Sequence, residues 1–327
     1  VANDIRLSVV VPTCGRPDLL NRCLAALTEQ TLDPSTYEII VVDDRPSRRT
    51  EDIVGNWAAR VANKGLDVRY FPNFGTHGPA AARNRGWQEA CGDIIAFTDD
   101  DTVPDKEWLK QGADAFDGDV DVVWGRIEMP LSSQPTDYER DAQRLASAEF
   151  VTANCFCLKS VLQYLRGFDE RFRYAWREDS DFYFRLLDSG AAVAHVPEAL
   201  VVHPVRPAKW GVSITQQKKI LFDALLYKKH PQWYREKIRA TPRWDYYLIV
   251  VMLIVAVFAF VTGDEKSGVL AGCIWLFMTL RFCRQRLAGT AKTVAHVVEM
   301  IVTSVLIPPL AVFWRLVGAL RFRVAFV

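Results

Sequence analysis

The chain has 327 residues, of which 50% are hydrophobic and 24% charged, with a mean hydropathy of +0.01 and a net charge of +1. This composition excludes a disordered chain, and the hydropathy exceeds that of an ordinary soluble enzyme. The near-zero charge hides a split: residues 1–205 carry 22 Lys+Arg against 33 Asp+Glu, and residues 206–327 carry 18 against 6, which points the basic back half at a membrane or nucleic-acid surface.

The first apolar run, Ile5 to Val11, is stopped by Pro12 and is too short for a secretory signal. From there, strand-like stretches at Leu7–Val11, Tyr37–Val42, Val68–Phe71 and Ile94–Phe97 alternate with helical patterns. Leu19, Leu20, Cys23, Leu24 and Leu27 recur at helical spacing, and Ala80–Ala90 is entered through Gly78-Pro79. Such alternation predicts right-handed βαβ units, and hence an α/β fold with a mostly parallel sheet and helices on both faces. The seven cysteines are odd in number and irregular in spacing, which reads as reduced thiols packed as small hydrophobes.

After Gly211 a helical stretch to Tyr227 leads into a basic segment with Lys228, Lys229, Arg235, Lys237, Arg239 and Arg243. Trp233, Tyr234, Trp244 and Tyr246 interleave with it, a mixture suited to a lipid headgroup layer. Residues 246–263 follow without a charge; 18 residues at ~1.5 Å each span roughly 27 Å, about the thickness of the hydrocarbon. Further apolar segments lie at about 267–283 and 294–320. Lys and Arg are dense on the outer flanks of the first pair, whereas the turn Gly263-Asp264-Glu265-Lys266 is not basic, so the positive-inside rule predicts a hairpin with both ends cytosolic. Because Arg321 and Arg323 would otherwise lie outside, the third segment reads as interfacial or re-entrant. The expected domains are therefore a catalytic 1–235 and a membrane-associated 236–327. The positive charge brackets apolar spans instead of forming a soluble face, so nucleic acid is not an expected partner.

In open α/β sheets, ligands bind beyond the carboxyl ends of strands. Three acidic sites stand at or near such positions: Asp43-Asp44, Asp99-Asp100-Asp101, and Glu178-Asp179 with Asp181. Three adjacent carboxylates repel one another unless a cation lies between them, and oxygen-only ligands suit Mg²⁺ or Mn²⁺ carrying a diphosphate. Helix capping needs only one such Asp.

Taken in order, these residues resemble family 2 of the inverting glycosyltransferases, which have the GT-A fold. The resemblance covers roughly residues 5–235. It rests on Ser8-Val9-Val10-Val11-Pro12-Thr13, Val41-Val42-Asp43-Asp44, Gly78-Pro79-Ala80-Ala81-Ala82-Arg83-Asn84, Phe97-Thr98-Asp99-Asp100-Asp101, Gly167-Phe168-Asp169-Glu170, and Glu178-Asp179 with Arg185. It implies that Pro12, Thr13 and one or both of Asp43 and Asp44 hold the nucleobase of a nucleotide-sugar donor, a UDP-sugar first among the candidates. It places Arg83 near the diphosphate, Asp100 toward the ribose, and Asp99 and Asp101 at the outer positions of a D-x-D metal motif. His203, after Leu200-Val201-Val202, lies where some GT-A enzymes supply a histidine to the metal or diphosphate. Asp179 matches the general base. Glu178 and Asn154 are assigned to the acceptor side, with residues 129–150 lining or covering it.

The Q-x-x-R-W signature of processive synthases is missing; the nearest stretch is Gln216-Gln217-Lys218-Lys219-Ile220. The expectation is thus a non-processive, metal-dependent, inverting transferase, integral to the membrane with its catalytic part on the cytoplasmic side, acting on a lipid-linked or cell-envelope glycan acceptor. A sugar-phosphate nucleotidyltransferase is the nearest chemical rival, but the loop Thr13-Cys14-Gly15-Arg16-Pro17 has a single glycine. A non-catalytic membrane-bound scaffold is the rival from another class, and the intact acidic set argues against it.

Overall fold

A computed structural model describes residues 6–116 and 118–326; Ile5, counted in the first apolar run, lies outside them. In chain order the first elements are β1 (Leu7–Thr13), α1 (Pro17–Leu27), β2 (Tyr37–Asp43), α2 (Arg48–Val61), β3 (Asp67–Pro72), α3 (Pro79–Glu89), β4 (Ile94–Thr98) and β5 (Val103–Pro104). They continue as α4 (Trp108–Asp114), β6 (Val122–Glu128), α5 (Asp137–Gln143), β7 (Asn154–Leu158), α6 (Lys159–Leu165), α7 (Glu178–Ser189) and β8 (Val193–Val202). The remainder is helical: α8 (Val212–Gln216), α9 (Leu221–Lys229), α10 (Pro231–Trp233), α11 (Trp244–Thr262), α12 (Glu265–Leu287) and α13 (Val294–Phe322).

The chain divides into two compact units, with Leu131–Gln143 belonging to the second together with everything from Arg206 onward. The first unit is built on one sheet in the order β3-β2-β1-β4-β7-β6-β8-β5. Every residue of β1, β2 and β4 is buried, which is why these strands read as unbroken apolar runs instead of alternating ones. The expected parallel arrangement holds across β3-β2-β1-β4 and again for β6 with β8. Strand β7 runs antiparallel between β4 and β6, and β5 antiparallel to β8, so the sheet is mixed. All four strands read from the sequence lie in the parallel half.

The helices covering that half follow from local signals. Pro17 and Pro79 open α1 and α3 at positions where a missing N–H costs nothing. Ser47 caps α2 by accepting from the Thr50 N–H at 3.2 Å. Helix α1 buries Leu20, Cys23, Leu24 and Leu27, the stripe expected from their spacing. Helix α3 approaches β1 so closely that a Cβ on Gly86 would lie 2.3 Å from a Val10 methyl. This contact fixes the start of α3, and with it Arg83, beside the end of β1.

In the second unit, α11 and α12 form a helical hairpin about Gly263 (φ +81°), with Asp264 capping α12 by accepting from the Ser267 N–H. Helices α11, α12 and α13 are each long and apolar enough to cross a membrane by length and composition. Large side chains such as Ile254, Phe258, Val261, Leu270 and Phe277 are exposed, as a lipid solvent requires and water does not favour. Helix α13 buries Met300, Thr303, Ser304, Ile307, Ala311, Arg315 and Gly318 on one stripe and exposes Val298, Ile301, Leu306, Phe313 and Leu320. Its buried stripe packs against α9, where a Cβ on Gly318 would lie 2.8 Å from the Leu221 carbonyl oxygen. Arg286, at the end of α12, donates to Thr303 Oγ1 at 2.6 Å.

Segment 131–143 is tied into this unit by a buried ion pair. Arg286 donates to Asp137 Oδ2 at 3.0 and 2.8 Å and also reaches Ser304 and Ser213. The Ala291 N–H donates to the Pro135 carbonyl at 2.9 Å, and Arg140 donates to the Ala288 carbonyl. Asp137, in the segment expected to line or cover the acceptor side, is in the second unit the counter-ion of Arg286 on α12.

Candidate active site

The carboxyl ends of β1, β2 and β4 bring the loops 13–16, 43–47 and 98–102 together. Asp99, Asp100 and Asp101 leave β4 in a turn closed by Thr102, whose N–H and hydroxyl both donate to the Asp99 carbonyl, at 3.2 and 2.7 Å. Their side chains diverge. Asp100 turns back toward β1, where Thr13 Oγ1 donates to it at 2.6 Å and Arg16 pairs with it at 2.8 Å. Asp101 lies 3.7 Å from Arg16 and 3.6 Å from His203 Nε2. Asp99 receives Arg83 at 2.7 Å.

Arg83, only 3% exposed, is the bridge of the site: its other terminal nitrogen reaches Glu178 at 3.3 Å. Burial opposes its charge, but Asp99, Glu178 and Asp179 outweigh that and push its pKa up. Burial likewise works against an ionised Asp99, yet Arg83, His203 and Arg16 hold its carboxyl below the usual range. For Asp100 burial prevails over Arg16 and Thr13 and raises the pKa to about 7. Glu178 is raised to about 7 by burial, with the Asp179 charge adding to the effect. Asp179 is also raised, again chiefly by burial, and its Oδ1 accepts from the Ser180 N–H at 2.7 Å.

The positions of Arg83 and Glu178-Asp179 follow from the other motif residues. Asn84 donates to the Phe168 carbonyl at 2.9 Å and to Glu170 at 3.0 Å, and accepts from the Phe168 N–H at 2.8 Å. Arg185 on α7 pairs with Asp181 at 3.0 Å and donates to the carbonyls of Leu165 and Gly167, each at 2.8 Å. The Gly167-Phe168-Asp169-Glu170 loop therefore clamps α3 to α7.

Of the two acids after β2, Asp43 is fully buried and accepts from Arg45 N–H, Ser47 N–H and Tyr70 OH at 3.0–3.2 Å. It shapes its own turn. Asp44 is more open and accepts from Asn73 at 2.8 Å and from the Gly78 N–H at 2.9 Å, with His77 at 3.4 Å. Gly78 has φ +123°, and a Cβ there would lie 2.8 Å from the Arg173 carbonyl oxygen, so only glycine permits this approach. Pro12 is buried at the end of β1, and the Thr13 hydroxyl is committed to Asp100.

Asn154 lies opposite Thr98 in the β4–β7 pair, one residue from Asp99, and its amide is committed within the sheet. It is 1% exposed, donates to the carbonyls of Arg126 and Ala199 at 2.9 and 2.8 Å, and accepts from Trp108 Nε1 at 2.8 Å. Its amide pins β6, β7 and β8 together. Glu178, expected toward an acceptor, faces Arg83. Arg16 is the residue that sequence reasoning missed: its one signal was a cation in a strand-terminal loop opposite an acidic triplet.

Among the described residues, Asp99, Asp101 and His203 each offer one ligand atom, all within 4.8 Å of one another. The other ring nitrogen of His203, Nδ1, is buried without a hydrogen-bond partner. Two hard carboxylates with one imidazole form a donor set that fits a divalent cation such as Mg²⁺ or Mn²⁺.

The chain is 27% identical over 211 residues to glycosyltransferase AglE of Haloferax volcanii, covering 62% of this chain and 67% of that one. It is 37% identical over 98 residues to the GalNAc(5)-diNAcBac-PP-undecaprenol beta-1,3-glucosyltransferase of Campylobacter jejuni, a match that spans 29% of each chain. The fold resembles that of the mannosyltransferase PcManGT from Pyrobaculum calidifontis, solved with GDP-Man and Mn²⁺, at a TM-score of 0.56 and 16% identity over 97% of this chain and 87% of that one. The family description "Glycosyl transferase family 2" matches residues 8–178, more than half the length, and the chain therefore belongs to glycosyl transferase family 2.

Proposed function

We propose that this glycosyltransferase moves a sugar from a nucleotide-sugar donor to a membrane-associated, lipid-linked or cell-envelope glycan acceptor by a single inverting displacement. The observation that carries this reading is the convergence of Asp99, Asp101 and His203 with an Arg83 that also reaches Glu178, at the carboxyl ends of parallel strands. PcManGT, solved with a sugar nucleotide and Mn²⁺, shares the fold, and the Campylobacter relative is named for a polyprenyl diphosphate-linked acceptor. Three helices apolar enough to cross a membrane suit an acceptor that lives in lipid.

In this reading Asp99, Asp101 and His203 would hold a divalent cation, which when bound supplies positive charge to a departing diphosphate. Arg83 adds a fixed cation to the same side, already desolvated and aimed. Asp44, at the open end of β2, holds the donor base or ribose beside the Gly78 N–H. Asp179 accepts the proton of the attacking hydroxyl at its carboxylate; its burial raises its basicity toward the working range of a general base. With no side chain acting as nucleophile, the anomeric configuration inverts. The basic residues flanking α11 and α12 orient this machinery to the cytoplasm, where nucleotide sugars are made.

The test is a panel of UDP- and GDP-sugars incubated with the full chain in detergent, Mn²⁺ or Mg²⁺, and lipid extracts as acceptors. The expected outcome is transfer that stops on chelation and yields a product of inverted configuration by NMR. Retention of configuration, or transfer unchanged by chelation and by Asp101→Asn, would remove the mechanism.

A further inference from the structure

Helix α12 ends at Leu287 in a stretch that mixes apolar and basic residues. Leu280, Cys283, Arg284 and Leu287 stand at i, i+3, i+4 and i+7, on one face of the helix. Arg284 therefore interrupts a stripe that is otherwise hydrocarbon. With Lys292 and with Ile301 of α13, these four side chains line one open groove of about 500 Å³, within the range of about 300–1,000 Å³ typical of ligand sites. Its walls are almost wholly apolar, and among the described residues no acid lines it.

The arginines at this helix end are treated differently. Arg286 is neutralised by Asp137 at 2.8 Å, whereas Arg284 is exposed and, among the described residues, forms neither a hydrogen bond nor an ion pair. Lys292 is held in place: it donates to the Leu287 carbonyl, a bond that uses one of its three ammonium protons. The loop carrying it is pinned by the Thr290 hydroxyl, which donates to the Leu287 carbonyl at 3.1 Å, and by the Ala291 N–H, which donates to the Pro135 carbonyl at 2.9 Å. Leu280 and Ile301 are 56% and 51% exposed, so the groove opens onto the surface that α12 and α13 would present to lipid. The cluster Arg281, Arg284, Arg286 and Lys292 marks this end of α12 as the headgroup level of such a helix.

We propose that the groove between α12 and α13 binds one anionic membrane phospholipid, with its phosphate against Arg284 and Lys292 and an acyl chain along Leu280, Cys283, Leu287 and Ile301. A guanidinium fork matches phosphate oxygens in pairs and the ammonium adds a point charge, and basic pockets between apolar helices favour anionic headgroups. Charge complementarity selects the occupant. A zwitterionic lipid would bring its own ammonium toward two cations, and a protein helix laid in the groove would bury both charges without acids. The site lies wholly in the second unit and stands whether or not the transfer reaction above is correct.

The experiment is native mass spectrometry of the full chain in detergent, titrated with three probes: phosphatidylglycerol, phosphatidylcholine with the same acyl chains, and glycerophosphoglycerol, which is the first lipid's headgroup without its chains. Phosphatidylglycerol is expected to bind at least about tenfold more tightly than phosphatidylcholine. Arg284→Gln and Lys292→Gln are each expected to weaken it about fivefold, and Arg321→Gln, on α13 outside the groove, to leave it unchanged. Ala288→Phe, which fills the groove beside Leu287, is expected to weaken it without touching either charge. Because Lys292 also closes the end of α12, the exposed Arg284 and the added ring at Ala288 decide the matter. Equal binding of the two lipids, phosphatidylglycerol binding indifferent to either Arg284→Gln or Ala288→Phe, or glycerophosphoglycerol binding as tightly as the lipid would overturn the proposal.

Discussion

The two units handle buried charge in opposite ways. The first buries acids: Asp100 and Asp101, beyond the carboxyl end of β4, and Glu178, at the start of α7, are balanced by Arg16, Arg83 and His203. The second buries arginines: Arg286 has Asp137 as its counter-ion, whereas Arg315 stacks on the Phe326 ring and, among the described residues, has no ion pair. Their apolar side chains are also arranged inversely. Val9, Ile39, Val41 and Phe97 are fully enclosed in the first unit, whereas Ile254, Phe258 and Leu270 stand exposed in the second. The exposed hydrocarbon of the second unit is what helices facing lipid would require, and the enclosed hydrocarbon of the first is what water requires. A water-facing unit hides hydrocarbon and concentrates charge in a cleft; a lipid-facing one shows hydrocarbon and hides polar groups against its own helices.

The strongest way to sharpen this contrast is at the acids. Asp179→Asn is expected to lower the transfer rate by about 10²–10⁴ while leaving the fold intact, as steady-state kinetics and circular dichroism would show. Near-normal turnover would strip Asp179 of its role. Arg83→Ala should cost about 3–5 kcal/mol of stability, because it leaves Asp99 and the buried Glu178 without their shared cation; denaturant unfolding of the full chain measures it.

Ile254→Lys tests the solvent of the second unit. At a water-facing position, 61% exposed, the change would lie within about ±0.5 kcal/mol. At the centre of a lipid-facing helix it should cost about 3 kcal/mol of insertion free energy, read from the membrane-integrated fraction. A neutral outcome would break the comparison outright. The smallest effect is expected at Ser47→Ala, where loss of the α2 cap should cost about 1 kcal/mol by denaturant midpoint without changing transfer.

Much of the site was legible in the sequence because its acids follow apolar runs directly. Strands β1, β2, β3 and β4, helices α1 and α3, and the three apolar C-terminal helices all lie where periodicity and punctuation put them. What escaped notice was pairing across distance. Nothing near Asp43 announces that its carboxylate closes its own turn while Asp44 remains more open. Nothing near Asn154 shows that its amide joins three strands. Arg16 reads as a loop cation until Asp100 and Asp101 arrive from 84 and 85 residues away, and strands β6 and β7 carry no local sign that one of them runs antiparallel.

By itself, then, the amino-acid order determined the local elements, the apolar spans and the stations of the acidic residues, since period, caps and β-branched runs act over a few residues. Only the tertiary structure decided which carboxylate meets Arg83, that segment 131–143 joins the apolar C-terminal helices through Asp137, and that Arg315 is enclosed over the Phe326 ring. Those outcomes depend on burial and on Coulomb partners brought together by packing, and neither is encoded in any short stretch of chain.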